Sequence, residues 1–318
     1  MRRQLLDSLI IPYDFDTRLP ELKEKTFKWK VDVKLQNEKI HSGTITHYSI
    51  GDEPRGNFIL VPGLASNTDI EPLMRALTYW SLTHQYNIYC LDTFLGEFKP
   101  RITMADAQRN TVPNFIKLMD TSLDIIEKYC ANTWTCLVGH SLGATIPFEV
   151  FNQRLLTGKK LRISAAIMFA PFVTNQWHQF LLNLYRKRNF PQGISDKEYK
   201  KTAIGLISPY DVALTGTTRY ISILPSFFDE IEKVTIKPHL ANKYDIPITI
   251  VAGGRDKKAP LEHLREIYNS ISKTPNGKLF KFVVFPNSKH SFIDQYKQWT
   301  DILNLIRSQR IRKKQQSR

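Results

Sequence analysis

The residue types best suited to chemistry lie in one short run, Gly139-His140-Ser141-Leu142-Gly143. A short apolar strand is predicted just before it, over 133–138, and an amphipathic helix just after it, to residue 156. So tight a strand-to-helix turn strains the serine backbone and requires small flanking residues, which the two glycines provide. Such a turn lifts the serine hydroxyl above the sheet and directs helix N-terminal N–H groups to the same place. The alternative is a glycine turn that only joins strand to helix.

The elements that must position this serine alternate between strand-like apolar runs and longer runs with helical spacing. We predict strands over 27–35, 41–50, 57–61, 86–91, 133–138, 163–169, 246–252 and 279–285. We predict helices from a cap at Asp69 to residue 83, then over 113–129, from the serine turn to 156, over 261–272 and over 292–307. This alternation predicts an α/β fold with a mostly parallel central sheet flanked by helices.

The alternation is interrupted between the sixth and seventh predicted strands. Residues 173–245 contain no obvious buried strand and are rich in aromatic side chains. Because no Ser- or Gly-rich linker separates the two parts, we interpret 1–318 as a single domain with an insertion at 173–245 and a basic tail at 308–318.

With its glycine-flanked serine at a strand-to-helix turn, the chain resembles the α/β-hydrolase family from about residue 27 to 307. The resemblance implies a helical cap at the insertion and a catalytic triad in the order nucleophile, acid, histidine. Asp256, in the loop Gly253-Gly254-Arg255-Asp256, matches the family's acid. His290, just past the last predicted strand, matches its general base.

The roles implied for these residues follow from the chemistry of a serine hydroxyl. Because the hydroxyl is a poor nucleophile at neutral pH, it needs a base within hydrogen-bond reach. His290 would take the Ser141 proton and later deliver it to the leaving group, while Asp256 would fix the imidazole tautomer. Taken alone, Asp256 could be a turn former and His290 a structural residue. His140 is expected to pack beside the site; His84, His178, His239 and His263 are interpreted as surface or packing residues.

The resemblance also places an oxyanion hole in the loop after the strand Asn57–Val61. By position, its donors are the backbone N–H groups of Leu64 and Leu142. Pro62 stands where many family members carry histidine, which argues against the HGGG-type esterase subgroup. The loop that begins at Asp92 also departs from the common family pattern.

The class of substrate has to be inferred from the insertion. Its first part has apolar side chains spaced as on a helix, those of Trp177, Phe180, Leu181, Leu184 and Tyr185. They would form an apolar wall for an acyl chain or another lipophilic ester; ordinary helix-core contacts are the alternative. We therefore predict a serine hydrolase that cleaves carboxylic, acyl or lipid-like esters through an acyl-enzyme. A thioesterase or lysophospholipase would use the same triad, and a catalytically silent scaffold that binds a ligand or partner is an alternative of another class.

The positive net charge of the chain bears on its possible binding partners. The formal net charge is +15, and residues 307–318 hold six basic and no acidic residues. This tail is either the solvated end of a helix or a contact for anionic membrane lipids. Because the sequence has no nucleic-acid recognition motif, we do not expect nucleic-acid binding.

We expect no cofactor and no metal, since the sequence has neither a phosphate-binding glycine loop nor a Cys/His cluster. Lacking a cleavable signal pattern and a long apolar run, the protein is expected to be cytoplasmic.

Overall fold

The computed structural model describes residues 26–34, 40–49, 54–64, 66, 71–92, 98–130, 133–172, 176–208, 212, 216–234 and 237–292. The strands are β1 (Thr26–Lys34), β2 (Ile40–Tyr48), β3 (Asn57–Val61), β4 (Asn87–Asp92), β5 (Thr135–His140), β6 (Ala165–Phe169), β7 (Ile204–Leu206), β8 (Ile221–Ile223), β9 (Ile248–Gly253) and β10 (Phe280–Phe285). The helices are α1 (Pro72–Thr83), α2 (Met104–Arg109), α3 (Val112–Tyr129), α4 (Leu142–Leu156), α5 (Gln176–Asn189), α6 (Asp196–Tyr199), α7 (Ser226–Glu232) and α8 (Leu261–Ser272). Short 3-10 helices cover Pro238–Lys243 and Gly277–Leu279.

Eight strands form one sheet in the order β1-β2-β4-β3-β5-β6-β9-β10. The pairs β1–β2 and β2–β4 are antiparallel, and the other pairs are parallel. Every residue of β3, β5, β6 and β9 is buried, which explains their predominantly apolar sequences. Helix α3 packs on β1 and β2, and α8 packs on β9 and β10. The predicted α/β architecture, a mostly parallel sheet flanked by helices, is confirmed.

Helix α4 carries the serine turn at its N-terminus and is buried along most of its length. Near its other end, Arg154 is 2% exposed and its guanidinium pairs with three carboxylates of α3, those of Asp120, Asp124 and Glu127. A buried guanidinium must have such partners, because an unpaired charge in this position would be costly. These pairs fix α4 against α3, and with it the start of the helix.

Several predicted boundaries differ from the observed ones. Strand β5 runs two residues further than predicted, through His140, so that only Ser141 separates it from α4. Helix α1 begins at Pro72 with Glu71 at its N-cap rather than at the predicted Asp69, which lies outside the described residues. Proline fits the first helical turn and holds the preceding residue extended, which explains this start. The last predicted helix and the tail also lie outside the described residues, apart from Phe292, which is not helical.

The described part of the segment between β6 and β9 contains α5, α6, α7, a 3-10 helix and the antiparallel pair β7–β8. The sequence shows no obvious buried strand there because strands of three residues are too short for an alternation pattern to show. In α5, Leu182 is buried, whereas Phe180, Leu181 and Leu184 are 54%, 43% and 49% exposed. Ordinary core packing does not account for these three side chains. The role of the segment as a cap stays a prediction.

The described helices include none that combines the length and the apolar character needed to cross a bilayer.

Candidate active site

Ser141 stands alone between β5 and α4 in a strained conformation, with φ 55° and ψ −122°. Its backbone N–H donates to the Phe169 carbonyl at the end of β6, at 2.8 Å. A Cβ atom on Gly139 would lie 2.2 Å from the Gly143 carbonyl oxygen, and one on Gly143 would lie 2.1 Å from the Pro62 carbonyl oxygen. Both positions therefore require glycine, as predicted from the tightness of the turn.

The three side chains assigned to a triad lie in one hydrogen-bonded row. The Ser141 Oγ lies 2.9 Å from His290 Nε2, and His290 Nδ1 lies 2.8 Å from Asp256 Oδ2. The other carboxylate oxygen of Asp256 accepts backbone N–H groups from Lys258 and Ala259 at 2.8 and 3.0 Å. Because an ionised carboxylate only accepts, His290 Nδ1 carries the proton, and Nε2 is left to accept the Ser141 hydroxyl.

The electrostatics of the row favour this arrangement. Burial lowers the pKa of His290 and outweighs the opposing effect of Asp256, so the imidazole is held neutral near pH 7. For Asp256, burial acts to raise the pKa, but the hydrogen bonds from His290 and the two amides outweigh it, and the net pKa is lowered. The row thus combines a neutral imidazole with an ionised carboxylate, as general-base catalysis by histidine requires.

The two residues whose backbone amides are assigned to an oxyanion hole lie near Ser141. Leu64 lines the same cavity as the serine, and Leu142 follows Ser141 as the first residue of α4. The loop before Leu64 passes close to Ser141, since a Cβ on Gly63 would lie 3.3 Å from Ser141 Cβ. Within the described part of the chain, neither amide has an acceptor. Their role as oxyanion donors stays a prediction.

A second buried pair lies beneath this site and was missed in the sequence. Glu71, 4% exposed, forms an ion pair through Oε1 with His140 Nδ1, while its Oε2 accepts the Gly63 N–H at 2.8 Å. His140 Nε2 donates to the His290 carbonyl oxygen at 2.7 Å. His140 does lie beside the site, as expected, but the pair also joins the oxyanion loop, the serine turn and the His290 loop. Only the position of Glu71 before Pro72 could have drawn attention to it.

The protonation of this second pair follows from its partners. Both ring nitrogens of His140 face acceptors, a carbonyl and a carboxylate, so the ring carries two protons. Burial acts to lower the pKa of His140, but the Glu71 carboxylate outweighs it and the net pKa is raised. Burial likewise acts to raise the pKa of Glu71, but His140 and the Gly63 amide lower it. An imidazolium–carboxylate pair therefore lies in the wall of the same cavity as Ser141.

Ser141 and His290 open into a cavity of about 400 Å³. One part of its wall is apolar, formed by Leu181, Leu206 and Ile207. Another part carries Lys258 and Lys289. His178 also lines the cavity and stacks on Phe228, with ring centroids 4.6 Å apart. The interpretation of His178 as a surface or packing residue was therefore incomplete, since nothing in its sequence neighbourhood indicates a cavity. In the part of the chain described, no group of three His, Cys, Asp or Glu side chains could hold a metal ion.

Comparisons with known proteins identify relatives by structure alone. No family model matches the sequence, and no curated protein matches it. Among solved structures, Est1E from Butyrivibrio proteoclasticus is 13% identical with a TM-score of 0.57, covering 89% of this chain and 98% of that one. The Pyrococcus furiosus esterase Pf2001 is 14% identical with a TM-score of 0.53, covering 90% and 91%. A thioesterase domain from the curacin biosynthetic pathway is 13% identical with a TM-score of 0.51, covering 87% and 99%. At these identities the likeness concerns architecture, and with the sheet order and serine turn described above it shows that the chain has the α/β-hydrolase fold.

Proposed function

We propose that this protein is a serine hydrolase that cleaves carboxylic esters through an acyl-enzyme intermediate. The observation that carries the proposal is the continuous hydrogen-bonded row from Ser141 Oγ through His290 to Asp256, at 2.9 and 2.8 Å, opening into a cavity. The esterases among the structural neighbours support the same reaction class.

In the first half-reaction, Ser141 Oγ attacks the ester carbonyl carbon while His290 Nε2 takes the hydroxyl proton. Asp256 holds the neutral imidazole in the required tautomer and then stabilises the imidazolium that forms. The negative charge on the former carbonyl oxygen is stabilised by the N–H groups of Leu64 and Leu142. Collapse of this intermediate breaks the bond to the alcohol, which leaves with the proton from His290, and the acyl group stays on Ser141.

In the second half-reaction, His290 takes a proton from a water molecule, whose oxygen attacks the acyl-enzyme carbonyl. The same two N–H groups stabilise the second tetrahedral intermediate. When it collapses, Ser141 recovers its proton from His290 and the carboxylic acid is released. The chemistry requires no metal and no cofactor.

The cavity wall indicates a small-molecule ester with an apolar portion. Its apolar side chains come from Leu181 of α5, Leu206 of β7 and the adjacent Ile207, all in the segment between β6 and β9. We propose that residues 173–245 form the cap predicted from the sequence and that they select the substrate. Contact of the basic tail with an anionic membrane and a cytoplasmic location stay predictions.

A fluorophosphonate probe tests the proposed nucleophile, because it phosphonylates only a serine activated by a base. We expect it to label the wild type and the Ser291→Ala variant, which removes another hydroxyl of the same cavity, and to leave Ser141→Ala unlabelled. Equal labelling of Ser141→Ala, or esterase activity retained in that variant, would exclude the mechanism. A folded wild type that is never labelled would favour the catalytically silent scaffold.

A thioesterase neighbour makes thioesters the second substrate class to test. Matched series of para-nitrophenyl esters and acyl thioesters of rising acyl length would separate the two, since the triad accepts both. A lysophospholipase would be identified by hydrolysis of a lysophospholipid at a rate comparable with the best simple ester.

A further inference from the structure

The cavity has a positively charged side that the catalytic row does not use. Lys258 follows Asp256 by two residues, and its backbone N–H is held by the Asp256 carboxylate at 2.8 Å. Lys289 immediately precedes His290. Both side chains line the same cavity as Ser141 and His290.

Neither ammonium group has an ion-pair partner in the part of the chain that the structure describes. The carboxylates nearest the cavity are engaged elsewhere: Glu71 binds His140 and the Gly63 amide, and Asp256 binds His290. Both lysines keep substantial solvent exposure, so their ammonium groups lie at the accessible part of the cavity wall. An ammonium without a partner there is stabilised by an anion that enters the cavity.

The histidine on the same wall does not contribute to this charge. Burial lowers the pKa of His178 to about 3, so its ring is neutral near pH 7. The imidazolium of His140, which also lines the cavity, is neutralised by Glu71, so the uncompensated positive charge comes from Lys258 and Lys289. The apolar side chains Leu181, Leu206 and Ile207 complete a cavity that has both an apolar and a cationic part.

We propose that the substrate is an amphiphilic ester whose anionic group, a carboxylate or phosphate, pairs with Lys258 and Lys289 while its apolar portion contacts Leu181, Leu206 and Ile207. This inference rests on the proposed esterase function. It assigns to that function a substrate class that neither the triad nor the fold specifies.

The test uses two pairs of esters whose members differ in a single charge. Mono-para-nitrophenyl succinate and its methyl ester place the charge on the acyl portion; para-acetoxybenzoate and its methyl ester place it on the leaving group. The ratio of kcat/KM for the charged over the neutral member is measured in the wild type, Lys258→Met, Lys289→Met, and the double variant. Differences in intrinsic reactivity cancel, because each ratio is compared between variants. Lys257→Met is the matched control, since Lys257 is exposed and does not line the cavity.

We expect the double variant to lower the ratio by about fivefold for at least one pair, because a single solvent-exposed ion pair contributes up to about that much. Added salt should lower the wild-type ratio in the same direction, and Lys258→Arg should retain it. The pair that responds identifies the portion of the substrate that carries the anion. An unchanged ratio for both pairs, or an equal fall in Lys257→Met, would overturn the inference. Labelling of Ser141 and hydrolysis of the neutral esters would then still support the esterase itself, whereas absence of both would reject the proposed function.

Discussion

Glu71→Ala is the perturbation that tests most directly how this site is held together. The substitution removes the acceptor of the Gly63 N–H and the partner of the His140 imidazolium. An orphaned buried amide costs about 1–3 kcal/mol, and breaking a buried ion pair costs about 3–5 kcal/mol. His140 can lose its extra proton instead of staying charged. We therefore expect the free energy of unfolding to fall by about 3 kcal/mol, near the lower end of these ranges. For a chain of this size that corresponds to a fall in Tm of about 4–5 °C.

The change in kcat tests the positioning role of Glu71 more directly than the change in stability does. Gly63 precedes Leu64, the predicted oxyanion donor, and loss of one such donor costs about 10²–10³-fold in kcat. We therefore expect a fall of about 10²-fold in kcat and in the rate of fluorophosphonate labelling, with little change in KM. Glu71→Gln should lose less than about tenfold. Its amide can accept from Gly63 and donate to a neutral His140, which still donates to the His290 carbonyl.

Glu127→Ala is the matched control, because Glu127 is also a buried carboxylate in an ion pair. Its partner Arg154 lies near the far end of α4, about 20 Å along the helix from Ser141. This variant should be destabilised by a similar amount while its kcat is retained. If Glu71→Ala were destabilised like the control but kept the wild-type kcat and labelling rate, Glu71 would only stabilise the fold and the positioning argument would be refuted.

Two further predictions follow from the geometry of the turn and the row. The kcat/KM of a neutral ester should rise with pH through a single midpoint below the ordinary histidine value of 6.5, because burial lowers the pKa of His290 and only the neutral ring can accept the serine proton. A midpoint above 6.5 in the pH profile would contradict this environment. Gly143→Ala should yield little folded, labelled protein, because its Cβ would lie 2.1 Å from the Pro62 carbonyl oxygen. A wild-type Tm and labelling rate in that variant would show that the turn can relax.

The parts of the site that the sequence predicted are those encoded locally. The strand, the glycine-flanked serine and the helix follow one another directly, so the geometry of the turn depends on residues adjacent in the chain. Asp256 and His290 each follow a strand of a mostly parallel sheet, and parallel strands bring their carboxyl ends to one edge. Order along the chain and resemblance to a family were therefore enough to place them near Ser141.

The parts that the sequence missed depend on contacts between distant segments. Glu71 and His140 are 69 positions apart, and neither the helix start nor the serine turn requires the other residue. His178 looked unremarkable because only the path of α5 over the sheet brings it to the cavity. The short strands β7 and β8 likewise depend on their pairing with each other. A strand of three residues is too short to be predicted from an alternation of apolar and polar residues.

The buried pair also accounts for the departure at Pro62 from the common family pattern. Proline has no N–H to donate, so the first donor of the loop after β3 is the Gly63 amide. Glu71 takes that donor at 2.8 Å, so the next N–H along the loop is that of Leu64, the predicted oxyanion donor in the cavity wall. The carboxylate can occupy this buried position only because His140, within the serine turn itself, neutralises it. A residue that seemed to weaken the resemblance is thus compensated by an ion pair that ties the oxyanion loop to the nucleophile it would serve.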